Sequence, residues 1–253
     1  MIVSRATYDL LVYVMVGLAA VTFVALFFVV APYGRYTRRG WGPTLPDRVG
    51  WAVMESPSLL YFSWIFWRGA HHALAAPLVL WAMWTIHYAH RTLIYPLRLK
   101  SRGKRMPVAI VAMAIAFNLL NSTINASFIA ELGDYPERWL SSPRFLAGAA
   151  AFAAGMAVNF DADRRLFALR RPGETGYQIP RGGMHELVSS PNYLGEIVEW
   201  GGWALASWST AGLAFFLYTI ANLAPRAASN HAWYRKNFPD YPPERRALVP
   251  FVW

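Results

Sequence analysis

The sequence predicts an all-α integral membrane protein with seven transmembrane helices, on three observations. Of its 253 residues, 56% are hydrophobic and only 15% charged, against the roughly 25% charge of ordinary soluble domains. The apolar residues arrive in blocks of about 20, the length that crosses a bilayer core of ~30 Å. The loops between the blocks alternate between strongly and weakly basic, as the positive-inside rule requires. Twelve tryptophans, 13 tyrosines and 15 phenylalanines exclude a flexible linker protein. The absence of cysteine excludes disulfides, a thiolate nucleophile and cysteine-held metal centres.

The first span, 10–31, carries no charge before Pro32. It is too long for a signal-peptide core and has no small-residue cleavage site. Six more follow at 49–67, 73–95, 107–130, 144–163, 188–208 and 210–236. Loop 33–48 carries Arg35, Arg38, Arg39 and Arg48, and loop 96–106 carries Arg98, Lys100, Arg102, Lys104 and Arg105. The C-terminal segment adds Arg235, Lys236, Arg245 and Arg246, whereas the loop with Glu131, Asp134 and Glu137 is acidic. This charge order predicts an outside N-terminus and a cytoplasmic C-terminus, in a multi-pass protein of a bacterial inner membrane. The net charge of +10 is carried almost wholly by arginine, with only three lysines, and no nucleic-acid partner is expected. The longest polar connection, 164–187, holds Pro172-Gly173 and Gly182-Gly183 turn signals and is expected to be ordered.

Ionisable groups inside spans are costly, so each is a candidate functional residue. Glu55, in the second span, has no basic neighbour in sequence. A carboxyl desolvated this way is expected to keep its proton near neutrality and to donate a hydrogen bond. Tyr88, Arg91 and Tyr95 share one helical face. The plainer reading of Arg91 is snorkelling to the surface. His87 and His90 have no partner at metal-ligand spacing and read as structural; no metal is expected. Asn159 and Asp163, four residues apart, lead into Arg164, Arg165, Arg170 and Arg171, which could hold ribose and phosphates. Ser190 and Pro191 look like an N-cap and first helical residue. From there Asn192, Glu196 and Glu199 follow at i, i+4 and i+7 on one face of an apolar helix. Arg226, Asn230 and Tyr234 repeat every four residues after Pro225, where a kink is expected. The ending from Tyr241 to Arg246 reads as a cap. Together these predict an intramembrane polar cleft opening to the cytoplasm, without a Gly-rich phosphate loop or a Rossmann fingerprint.

Glu55, His87-Tyr-Ala-His-Arg-Thr92, Arg170-Arg-Pro-Gly-Glu174, Ile179-Pro-Arg-Gly-Gly183, Asn192-Tyr-Leu-Gly-Glu-Ile-Val-Glu-Trp200 and the ending from Tyr241 to Phe251 resemble the steroid 5α-reductase family. The resemblance runs from about residue 50 to the end. It implies NADPH-dependent reduction of the Δ4 double bond of a 3-keto steroid by a seven-helix membrane enzyme, here a monomer. It implies that Glu55 and Tyr88 bind the 3-keto oxygen. It places Arg91, Tyr95, Asn159, Asp163, Arg170, Tyr177, Asn192, Glu196, Arg226, Asn230 and Tyr234 at the NADPH site, with Glu199 in support. One domain, 1–253, would divide into a steroid-binding half at about 1–130 and an NADPH-binding half at about 131–253. Met54 stands where the family usually has Gln, and Asn230-His231 replaces a histidine-rich run. A membrane methyltransferase using S-adenosylmethionine is the alternative. It shares a Pro-x-Tyr-x-Gly-Glu helix start but usually has Arg-His where this chain has Ser189-Ser190. A sterol-binding or transport protein is a third reading.

Overall fold

The computed structural model describes residues 3–29, 36, 40–100, 103–169 and 176–253. Among them run seven helical rods whose positions follow the apolar blocks of the sequence. The first is α1 (Arg5–Phe28), capped by the Ser4 hydroxyl, which accepts from the Thr7 N–H at 3.1 Å. The second joins α2 (Asp47–Ser56) to α3 (Phe62–Arg68) through one π turn, Pro57–Tyr61. The third joins α4 (Ala75–Ala89) to α5 (Tyr95–Arg98) through a π turn at His90–Ile94. The fourth, α6 (Val108–Ser127), also ends in a π turn, Phe128–Leu132. Then come α7 (Pro143–Ala168), α8 (Pro191–Ser207) and α9 (Thr210–Asn237). Three of the rods, Arg5–Phe28, Val108–Leu132 and Pro143–Ala168, are long and apolar enough to cross a bilayer.

The all-α expectation needs one correction. Thr44–Pro46 (β1) and Arg105–Pro107 (β2) pair as a short antiparallel ribbon, tying two basic loops together. Both α2 and α6 start directly after it, so the ribbon fixes where two walls of the site begin.

The core is aromatic. Phe62 stacks on Trp84 at 4.3 Å, and Trp84 meets Trp200, Trp203 and Phe215. Three buried indole N–H groups find acceptors, as burial demands. Trp84 donates to the Ser58 carbonyl at 2.8 Å, Trp203 to Asn125 Oδ1 at 2.9 Å, and Trp139 to the Ala206 carbonyl at 3.0 Å. Helix α9 continues through Pro225.

The α7–α8 pair is packed most closely. Gly148 and Gly155 on α7 face Gly202 and Gly195 on α8, two glycines seven residues apart on each helix. A Cβ added at Gly195 would lie 2.5 Å from the Asn159 nitrogen and 2.6 Å from the Gly155 carbonyl oxygen. Backbone meets backbone there, as small residues allow between membrane helices.

Candidate active site

A cavity of about 590 Å³ lies between these rods. Its first wall follows from the chemistry of proline. Pro57 has no N–H, so the Val53 carbonyl loses its helical donor, and the Ser56 hydroxyl takes the place at 2.8 Å. Around the π turn, Asn118 on α6 donates to the Met54 carbonyl at 2.6 Å, and Ser122 to the Pro57 carbonyl at 3.4 Å. These bonds fasten the helix on both sides of Glu55, whose carboxylate faces the cavity. Met54, which stands in place of the family's usual Gln, packs with Met106 and Val111.

The second wall carries His87, Tyr88, Arg91 and Tyr95 into the same space. Snorkelling does not describe Arg91. Its side chain is 11% exposed, and its guanidinium lies over the rings of Tyr95 at 4.5 Å and Trp51 at 4.9 Å. It stands 3.9 Å from Glu55 and 3.8 Å from Asp163. The basic neighbour that Glu55 lacks in sequence is therefore supplied across the fold.

The third wall is the glycine-packed pair. Asn159 donates to the Asn192 carbonyl at 2.9 Å, and Asn192 donates to Asp163 Oδ1 at 3.3 Å. Asn159 Oδ1 is buried with no partner among the described residues. Glu196 also lines the cavity. Helix α9 closes it with Arg226, Asn230 and Tyr234, and Arg226 donates to the Tyr193 hydroxyl at 3.0 Å. Tyr177 lies at the cavity with its ring 5.1 Å from that of Trp233.

Four expectations change. Glu199 does not share the cavity face of Asn192 and Glu196. Three residues of helix turn about 300°, leaving it about 60° off Glu196, and it is fully buried against His87 at 2.6 Å. His87, read from sequence as structural, lines the cavity instead. Ser190 sits at the N-cap position of α8, but its side chain makes no capping bond; its Oγ accepts from Asn230 at 3.3 Å. The arginine fork turns away, with Arg164 and Arg165 both held by Asp161 at 2.6 and 2.7 Å. Arg170 and its neighbours to 175 lie outside the described residues.

The C-terminal ending is more than a cap. Arg245, 1% exposed, donates to the Pro180 carbonyl at 2.8 Å and to Glu186 at 2.9 Å, pinning the 180–187 segment beside α8. Glu186 also accepts from the Gly182 N–H, and this bond, then Arg245, holds its carboxyl below the usual range. Sequence reasoning missed Tyr36, which lines the cavity and donates to Asn230 Oδ1 at 3.3 Å, and Lys104 beside the Tyr177 ring. No local pattern marks either one, because each reaches the site from a loop.

A family model described as 3-oxo-5-alpha-steroid 4-dehydrogenase matches residues 104–253. The steroid 5-alpha-reductase of Arabidopsis thaliana is 46% identical over 239 residues, covering 92% of this chain and 91% of the relative. The 3-oxo-5-alpha-steroid 4-dehydrogenase 1 of Bos taurus is 42% identical over 255 residues, covering 98% of each. The chain belongs to the steroid 5α-reductase family. It is an oxidoreductase of that family, which displaces the methyltransferase and transport alternatives. Carboxylates, amides and guanidinium groups from six of the seven rods converge on the cavity.

Proposed function

We propose that this chain reduces the Δ4 double bond of 3-keto steroids with NADPH, giving 5α-dihydro steroids. Beyond family membership, one observation carries the reading: Glu55 and Tyr88, from separate helices, open into one buried cavity with Arg91 beside them. Ile110, Met113 and Phe117 of α6 with Phe215 of α9 offer an apolar wall to steroid rings. Residues of 1–130 supply most of the steroid side and residues of 131–253 most of the cofactor side, while Arg91, Tyr95 and Phe215 cross that division.

The residues present fit NADPH. The unpartnered Asn159 Oδ1 is an acceptor that needs a donor. Asp163, Asn192, Glu196, Arg226, Asn230, Tyr177 and Tyr234 line the same cavity with groups suited to ribose hydroxyls and phosphates. Arg170 would add a cation for the 2′-phosphate. Bound there, NADPH supplies the hydride that C5 of the steroid receives.

The protein's own groups act on the enone oxygen. Arg91 is shared between two carboxylates at 3.8 and 3.9 Å, beyond hydrogen-bond length, which leaves Glu55 able to carry a proton. Protonated Glu55 and the Tyr88 hydroxyl donate to the 3-keto oxygen. Their dipoles are fixed before charge develops there, in a site poor in water, where such donors count most. All seven rods cross the membrane in this reading, with the N-terminus outside and the C-terminus in the cytoplasm. Arg105 on the ribbon and Lys104 just before it then mark a cytoplasmic mouth in a monomeric protein of a bacterial inner membrane.

The test is product mass. Detergent-solubilised protein given a Δ4-3-keto steroid and NADPH should yield a product heavier by two hydrogens, and none without NADPH. No conversion across several such steroids would overturn the reading.

A further inference from the structure

Reducing an enone requires a proton at C4 as well as a hydride at C5, and Glu55 and Tyr88 are occupied at the oxygen. Among the described residues that line the cavity, His87 is the one imidazole. It follows from helix geometry that it sits beside Tyr88, and C4 lies two bonds from the oxygen that Tyr88 would hold. His87 is 1% exposed, its ring 4.9 Å from Tyr88 and 4.7 Å from Trp200. Its Nδ1 is engaged with Glu199 Oε1 at 2.6 Å. That leaves Nε2 outside this contact, on a residue that lines the cavity.

Glu199 is the second half of the argument. It is fully buried, and among the described residues its second oxygen has no partner and no cation pairs with it other than His87. A carboxylate behind Nδ1 orients the ring and supports it when it carries a second proton, the arrangement that serves histidine in acid–base catalysis. Other charged groups near the ring are Glu55 on α2, Arg91 on its own rod and Glu196 on α8. Arg91 is already committed to Glu55 and Asp163.

We infer that His87 is the acid that protonates C4, with Glu199 as the positioning residue behind it. The inference rests on the reductase reading. As C5 gains the hydride, the C4=C5 pair moves to C3=C4 and charge collects on the oxygen held by Glu55 and Tyr88. The C3=O bond then re-forms while the C3=C4 pair takes the proton from His87 Nε2, making the C4–H bond. Neutral His87 keeps its Nδ1–H on Glu199 and regains a proton from water between turnovers. The product has gained one hydride and one proton.

His87→Gln preserves size and a hydrogen bond to Glu199 but cannot carry the proton. Its kcat should fall on the order of 10²–10⁴-fold, the usual worth of a positioned general acid. Steroid affinity, read without NADPH by quenching of tryptophan fluorescence, should stay within about threefold of the parent protein, since general-acid loss acts on the transition state rather than on binding. In D2O the parent should place deuterium on one face of C4, and the variant's residual product should carry it on both. A variant with parental kcat and single-face labelling would overturn the inference and leave the reductase reading standing. An inactive parent would instead overturn that reading. Should His87→Gln fail to fold, Glu199→Gln decides. Its kcat should fall at least tenfold with steroid affinity within about threefold of the parent, and its product should carry deuterium on both faces of C4; parental kcat with single-face labelling contradicts the assignment.

Discussion

Behind the cavity, α7 and α8 touch backbone to backbone at Gly148, Gly155, Gly195 and Gly202. In front of it, the rods carrying Glu55, Tyr88 and Arg91 are each interrupted by a π turn. There, carbonyls around Pro57 are satisfied by side chains of Ser56, Trp84, Asn118 and Ser122. The rear wall has no side chain at its crossing points and so almost no freedom to relax. The front wall is held by individual hydrogen bonds at the places where its helices depart from regular geometry, as π turns at functional sites commonly do. Of the groups assigned to the cofactor, Asn159, Asp163, Asn192 and Glu196 thus stand on a rigid frame, whereas those assigned to the enone oxygen stand on a tied but adjustable one.

The comparison breaks most readily at the rear. Gly195→Ala places a Cβ against backbone atoms that cannot swing aside. It should destabilise the protein on the order of 3 kcal/mol, the upper range for overpacking, seen as a lowered melting temperature in detergent. A tolerated alanine would show that the two helices can part and that the rear is not rigid. The front should give way by smaller steps. Trp84→Phe removes the donor to the Ser58 carbonyl and should cost about 1–3 kcal/mol, the penalty of one unsatisfied buried group. Steroid turnover should fall more than cofactor affinity, and the reverse order would put the π turn on the wrong side of the site.

The smallest effect concerns the segment pinned beside α8. Burial pushes the His185 imidazole down to about 4 from its ordinary 6.5. Between those values the unfolded chain binds more protons, so this contribution to stability is whole above pH 6.5 and is lost as pH falls toward 4. His185→Gln should flatten the acid limb of a stability profile, and an unchanged limb would contradict this origin.

The seven rods were legible because each apolar block is bounded by charge or proline. The ribbon was not, since three-residue strands carry no periodic signal. Arg91 illustrates the limit of one-dimensional reading. Its place near a basic loop suits snorkelling, and only the rods of Glu55 and Asp163 show where it points. The contact of His87 with Glu199 was unreadable for a similar reason, the two lying 112 residues apart. The paired glycines were the signal left unread. Their equal seven-residue spacing on two helices marks the close crossing that sets Asn159 against Asn192.

The central claim is that the Glu55 carboxyl polarises the enone oxygen without holding the cofactor. Glu55→Gln tests it most directly, by measuring NADPH affinity and steroid turnover on one preparation. The account predicts NADPH affinity within about threefold of the parent and kcat lower by about 10²–10³, the loss expected when one such donor is removed. Undiminished turnover, or loss of NADPH binding in step with turnover, would contradict it.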